Sequence, residues 1–234
     1  MISILIPSRG RFSGLLKAVH SFYDKAGGRD FEILIKLDSD DHESIRRIGE
    51  LEQFGANVHT VVAPRLRGYF DLNKFYNCLA ALASGKWLWL FNDDAQVVTP
   101  GWDTLIYALA NSAAPAFAWP HVEWDYPQNG QDSSKDMAIY SKEFHYDFPV
   151  ISRGAYDAMG HFSMSNLNDV YIFDVGQRFQ HLCHVPKTLV VSHTYLRDET
   201  HPHGMKVEDA LVVHYGKAVQ RHVELAVQRI SAVL

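Results

Sequence analysis

Hydrophobic positions in the first hundred residues recur with two periods, and the periods alternate. ISILIP (2–7) is a short β-branched run stopped by Pro7, as expected of a buried strand. FSGLLKAVHSFYDKA (12–26) then spaces Leu15, Leu16, Val19, Phe22 and Tyr23 along one helical face and ends at Gly27–Gly28. The same alternation predicts a strand in FEILIKLDSDD (31–41), a helix in HESIRRIGELEQFG (42–55) and a strand in NVHTVVAP (57–64). A helix in DLNKFYNCLAALASG (71–85), closed by Gly85, leads to a fourth strand in KWLWLFNDD (86–94). Strands separated by helices of this length predict right-handed β-α-β units and a mostly parallel sheet.

After Gly101 the pattern loosens. Strands are expected in 116–127 and 184–195, an exposed loop in 128–136, a strand and short helix in 148–160, and a helix in 168–182. In the tail from Val207 to Leu234, Leu211, Tyr215, Ala218, Val219, Leu225 and Ile230 fall at roughly helical spacing. This predicts a terminal amphipathic helix docked on the rest of the chain or on a second copy, which would make a homodimer.

The fourth strand raises a chemical question. Trp87 to Phe91 run straight into Asn92, Asp93 and Asp94. Adjacent carboxylates at a strand tip repel unless a cation, or a partner bearing one, sits with them. An ordinary polar turn is the competing explanation. Two other strands also end in polar groups: Ser8, Arg9 and Arg11 after the first, Asp38 to Asp41 after the second. Parallel α/β sheets bind ligands beyond the carboxyl ends of their strands, so these three ends are expected to converge on one crevice. Arg9, Arg11, Arg65 and Arg67 are candidates for phosphate, whose oxygens match guanidinium forks. Asp40 and Asp41 are candidate caps for the helix that follows.

Composition narrows the class. At 234 residues and 47% hydrophobic, the chain can bury a sizeable core as one large domain or two packed halves. A net charge of −5 gives no overall attraction to nucleic acid or anionic membrane. Cys78 and Cys183 form neither a disulfide framework nor a CxxC site, and reduced, buried thiols suit the cytosol. The apolar start is too short for a signal peptide, and no segment approaches the ~18 apolar residues of a membrane span. A cytoplasmic location is the expectation.

Taken in order, these segments resemble the family 2 glycosyltransferases of the GT-A fold over roughly residues 1 to 195. ISILIPSRGR is similar to that family's opening strand and turn, and EILIKLDSDD to its second strand, whose acidic end contacts base and ribose. NCLAALASGKWLWLFNDD is similar to the helix and strand that lead to an Asp-x-Asp metal site, with Asn92 in the first acidic position. FPVISRGAYDAMGHFSMSNLNDVYIFDVGQR resembles the acceptor-side segment with its Glu-Asp pair, Asn168 standing where Glu is usual.

The resemblance implies a GT-A-like, Rossmann-related α/β fold: a mostly parallel central sheet flanked by helices, with a C-terminal amphipathic helix. It implies one catalytic domain over 1–204, divided into a nucleotide-sugar-binding half (1–115) and an acceptor half (116–204), followed by the helix of 205–234. The implied reaction moves a sugar from a nucleotide-diphosphate donor to a hydroxyl, with inversion and with Mn²⁺ or Mg²⁺. Asp94 and His193 would hold the metal, and Asp169 would be the base. Pro7, Ser8, Arg9, Asp38, Arg67, Asn77, Asn92 and Asp93 would bind the nucleotide sugar. Asp169 has two roles open to it, base or helix cap. His201 and His203 form a weaker cluster in ETHPHG, expected as a surface loop. Trp119, Trp124, Tyr126, Tyr140, Phe144 and Tyr146 are either an acceptor platform or core. The acceptor is open: a glycan, lipid-linked sugar, protein, small molecule or, less favoured by the charge, modified nucleic acid. A nucleotidyltransferase and a non-catalytic nucleotide-sugar binder are the alternatives.

Overall fold

A computed structural model describes residues 1–28, 30–111, 116–125, 147–164, 166–179, 182–194 and 220–233, with backbone alone for 109–111, 124–125 and 182–188. The chain opens with β1 (Ile2–Ser8), α1 (Phe12–Lys25), β2 (Phe31–Asp38), α2 (His42–Arg46), α3 (Ile48–Glu52) and β3 (Val58–Ala63). A 3-10 turn (Gly68–Asp71), α4 (Leu72–Leu82), β4 (Trp87–Leu90), β5 (Ala95–Val97) and α5 (Trp102–Asn111) follow. Then come β6 (Phe117–Asp125), β7 (Val150–Ser152), α6 (Arg153–Met159), α7 (Asn168–Phe179) and β8 (Leu182–Thr194). The last element, α8, spans 220–231.

The strands form a single sheet in the order β3-β2-β1-β4-β7-β6-β8-β5. From β3 to β4 all neighbours are parallel, as the alternating periods predict. β7 enters antiparallel between β4 and β6, β6 and β8 run parallel, and β5 lies antiparallel on β8. The sheet is covered on both faces, and the two-residue period of the strands sorts side chains between them. Ile2, Ile4, Ile6, Trp87, Trp89 and Phe91 pack with α1 in one core. Leu5, Leu88 and Leu90 pack with α4, α6 and α7 in the other.

Several elements differ from the expected ones. The predicted helix over 42–55 is two short helices, because Arg47 leaves helical geometry at φ −101°, ψ 6°. Its guanidinium sits 4.3 Å from the Phe12 ring centroid and is held by Glu50 at 2.7 Å. The aspartate that caps α2 is Asp41, which accepts from the Ser44 amide. β5 and α5 are additional to the predicted elements: three residues are too few to show a period, and α5 is tied down by distant groups. Trp102 Nε1 donates to the Phe22 carbonyl at 3.0 Å, and the Gly101 amide to the Lys25 carbonyl at 2.6 Å.

In the tail, α8 buries Val223, Ala226 and Ile230 against the second core, on the chain's own body. Leu225, expected on the apolar face, points outward because the docked face follows the 223, 226, 230 spacing. Leu211, Tyr215, Ala218 and Val219 lie outside the described residues. Cys78 is exposed rather than buried, since α4 turns Phe75, Tyr76, Leu79 and Ala80 inward instead. The side chain of Cys183 lies outside the described residues. Among the described residues no helix is long and apolar enough to cross a membrane.

Candidate active site

The carboxyl ends of β1, β2 and β4 meet, and the charge problem at the tip of β4 is answered from within the chain. Asp93 is almost fully buried; its Oδ2 accepts from Ser8 Oγ at 2.7 Å, and its Oδ1 stands 3.2 Å from Arg11 Nη2. Arg11 Nη1 donates to Asp94 Oδ2 at 2.7 Å, so one guanidinium bridges both carboxylates. Burial, reinforced by the Asp94 charge, pushes Asp93 up to about 7 despite Arg11. Burial also pushes Asp94 upward, but contacts with His193 and Arg11 more than offset it and hold Asp94 below the usual carboxylate range. Gly14 makes this packing possible: a Cβ there would lie 2.6 Å from the Asp93 carbonyl oxygen.

His193 arrives from the far side of the sheet. The antiparallel register of β5 on β8 sets it opposite Ala95, and its Nε2 lies 3.0 Å from Asp94 Oδ1. The Phe148 ring stands edge-on to the imidazole at 5.1 Å. A carboxylate oxygen and an imidazole nitrogen form a donor pair that suits Mn²⁺. The 3.0 Å spacing is that of a hydrogen bond, and two donors each about 2.1 Å from an octahedral ion stand about equally far apart, so the pair would have to give up its shared proton to hold such an ion. Among the described residues no group of three or more His, Cys, Asp or Glu comes together as a metal cage. Two protein donors nonetheless suffice where a substrate phosphate completes the shell, the usual arrangement for Mg²⁺.

Beside this pair opens a crevice that contains Pro7, Ser8, Arg9, Lys36, Asp38 and Asp93 in its wall. Lys36 is buried, pairs with Asp38 Oδ1, and lies 3.5 Å from the Phe75 ring centroid. Arg9 reaches Asp38 Oδ2 at 3.2 Å and also pairs with Asp40. The Gly10 amide, in a turn with φ 65°, donates to Asp41 at 2.7 Å. Tyr69, Leu72 and Phe75 add an apolar wall, and Arg65 a cationic rim.

Other candidates sit apart from this wall. Arg67 is tied to Asp71 by its amide and both ends of its guanidinium, at 2.7–3.1 Å, and its side chain is largely exposed. Asn77 joins α4 to the acceptor half: its Oδ1 accepts from Tyr156 Oη at 3.1 Å and the Phe162 amide at 2.9 Å. Asn92 Oδ1 accepts from Tyr76 Oη at 3.0 Å. Asp169 lies in the first turn of α7, partly buried, and accepts from the Val170 amide. Burial, and after it the charges of Asp169, Asp93 and Asp94, push the Tyr76 phenol well above its ordinary value. Trp119 belongs to the core, stacked on Phe117 and edge-on to Phe173. The side chain of Trp124 and residues Tyr126, Tyr140, Phe144, Tyr146, His201 and His203 lie outside the described residues.

Sequence patterns passed over Lys36 and Tyr76. A lysine between Ile35 and Leu37, two residues before Asp38, was the available signal for the first.

Comparison with known proteins agrees with the fold. The solved structure of TarS 1–349 from S. aureus in complex with UDP has a TM-score of 0.61 at 9% identity, covering 83% of this chain and 60% of that one. Mannosyltransferase PcManGT from Pyrobaculum calidifontis, in complex with GDP-Man and Mn²⁺, gives 0.64 at 12% identity, covering 99% and 73%. GalNAc-T7 with UDP, GalNAc and Mn²⁺ gives 0.59 at 16% identity, covering 83% and 44%. At these identities the likeness is one of fold, the GT-A architecture. A curated relative, the uncharacterized protein y4gI of Sinorhizobium fredii, is 29% identical over 111 residues; the match spans 47% of this chain and 12% of that protein's length. The model of the family described as glycosyl transferase family 2 matches residues 3–169, and the chain belongs to that family.

Proposed function

We propose that the chain transfers a sugar from a nucleotide-diphosphate sugar to an acceptor hydroxyl, with inversion at the anomeric carbon and with a divalent metal. The observation that carries this is the meeting of Asp94 and His193 beside Arg11, next to a crevice whose wall is part apolar and part charged. Residues 1–115 form the donor half and 116–204 the acceptor half. Lys36, Asp38 and the Phe75 ring receive the base and ribose, where a carboxylate and an ammonium can pair with polar edges and an aromatic ring with a flat face. Asp94 and His193 would hold Mn²⁺ or Mg²⁺, which would supply positive charge for the departing diphosphate. Asp169 takes the proton from the acceptor hydroxyl. As that proton leaves, the oxygen bonds to the anomeric carbon on the face opposite the diphosphate. The bond from that carbon to the phosphate oxygen breaks, and its electron pair leaves with the nucleotide diphosphate.

TarS and GalNAc-T7 were solved with UDP, and PcManGT with GDP-Man. Both bases therefore belong in the test. A thermal-shift panel of UDP- and GDP-sugars, with Mn²⁺ or with excess chelator, should show stabilisation that depends on metal. Saturation at 100 times Kd corresponds to about 2.7 kcal/mol. Release of nucleotide diphosphate from the bound donor supports transfer. Release of pyrophosphate would establish a nucleotidyltransferase instead, and binding without turnover a non-catalytic binder.

A further inference from the structure

Both oxygens of Asp94 are engaged within the chain, Oδ1 with His193 Nε2 at 3.0 Å and Oδ2 with Arg11 Nη1 at 2.7 Å. The second arm of the same guanidinium, Nη2, stands 3.2 Å from Asp93 Oδ1. Ser8 Oγ donates to the remaining Asp93 oxygen at 2.7 Å, so the positive charge that spans the two carboxylates is that of Arg11. The side chains of Asp93 and Asp94 are 2% and 10% exposed, and that of Arg11 is 22% exposed. Arg11 is thus the outermost of the three, and it stands in the crevice wall.

The backbone that carries Arg11 is fixed. Its carbonyl accepts from the Leu15 amide at 3.0 Å as α1 begins, and Gly14 brings the first turn of α1 against the Asp93 carbonyl. The part that can change partners is the long side chain, whose guanidinium fork fits a phosphate as it fits a carboxylate. Arg9 serves a different acidic pair, Asp38 and Asp40 at the end of β2. A divalent ion taken up by Asp94 and His193 would stand beside a guanidinium of like sign on the same carboxylate, and the two repel. Ion and guanidinium therefore compete for Asp94. A diphosphate in the crevice offers oxygens to both and relieves that competition.

We infer that Arg11 is a resident counter-cation that gives up Asp94 to a divalent ion and turns its guanidinium to the donor's diphosphate. The inference rests on Asp94 and His193 being the metal site of the proposed transfer. Its consequence is that metal and nucleotide reinforce each other's binding, reciprocally, through Arg11.

Binding of Mn²⁺ alone to the full chain, followed by calorimetry, reads the competition without any turnover. Arg11→Gln should bind Mn²⁺ roughly 10-fold more tightly than wild type, whereas Arg11→Lys, which keeps the charge, should bind it about as wild type does. In saturating Mn²⁺, with UDP and GDP tested separately, the nucleotide that wild type binds should bind Arg11→Gln roughly 10-fold more weakly. The two ligands should thus respond with opposite sign. A role in holding the site together would weaken both, and that result, or an unchanged Mn²⁺ affinity in Arg11→Gln, would overturn the inference.

Should Arg11→Gln not fold, ¹⁵N NMR of arginine-labelled wild type decides. The Arg11 guanidinium signals, assigned by their loss in Arg11→Lys, should shift when Mg²⁺ and the nucleotide are added together; unmoved signals would overturn the exchange of partners. Wild type that binds neither nucleotide, or binds one equally in Mn²⁺ and in excess chelator, would refute the metal site and Arg11's part in it. Metal-dependent binding in wild type, with both ligands weakened in Arg11→Gln, would refute Arg11's part alone.

Discussion

His193 Nε2 lies 3.0 Å from Asp94 Oδ1, although 99 positions separate the two residues along the chain. The pairing of β5 with β8 brings them together, and Arg11 holds the other oxygen of the same carboxylate. If this pair holds the metal, Asp94→Ala should abolish turnover and His193→Ala should weaken metal-dependent donor binding at least ~10-fold. Asp94→Ala strips Arg11 and His193 of a partner and should lower the melting temperature by several degrees, whereas His193→Ala should melt closer to wild type. Calorimetry in Mn²⁺ and in excess chelator checks this; equal donor affinity under the two conditions would remove the metal from the site.

Asp169 separates the base from the cap. Asp169→Asn keeps an oxygen for the Val170 amide but cannot take up a proton. Transfer should fall by roughly 10²-fold or more while donor binding survives. An unchanged transfer rate would leave Asp169 a capping residue.

Two glycines offer a matched pair. Gly14→Ala places a Cβ 2.6 Å from the Asp93 carbonyl, whereas a Cβ at Gly49 meets nothing within 4 Å. Gly14→Ala should cost about 1–3 kcal/mol and displace the tip of β4, lowering turnover as well as melting temperature. Gly49→Ala should be neutral or stabilising by up to about 1 kcal/mol, since alanine favours the helix. Equal melting curves and rates for the two variants would contradict the close approach of α1 to Asp93.

Asp71 gives a pH test away from the catalytic groups. Its carboxylate accepts from Arg67 and pairs with Lys74 at 2.9 Å, and these contacts depress it well below the ordinary value despite burial. A depressed carboxylate stabilises the fold fully above its unfolded value, and that contribution is lost as pH falls through the folded one. Asp71→Asn should therefore be less stable than wild type at pH 7, by about 1–3 kcal/mol. The gap should narrow as pH drops below about 4. Denaturant melts at the two pH values measure it; a constant gap would mean that the charge is not what Asp71 contributes.

The alternating periods of the first ninety residues already determined four strands paired in parallel; their order, β3-β2-β1-β4, came from the tertiary structure. A strand buried on both faces is largely apolar, with any polar side chain paired inside, as Lys36 is with Asp38, and the helices between such strands carry one apolar face. The same logic made the polar ends of β1, β2 and β4 legible as one crevice, because parallel strands share an end. Individual partners were not legible in that way. Arg11 as the cation between Asp93 and Asp94, Lys36 beneath Asp38, and Asn77 as a tie to Tyr156 all depend on side-chain reach across the crevice. β5 is too short to show a period, and β7 sits between β4 and β6 by long-range pairing. Only the tertiary structure decided that Ser8 meets Asp93 and that His193 meets Asp94. Each contact joins segments far apart in sequence, and strand pairing and core packing, rather than local propensity, bring such segments together.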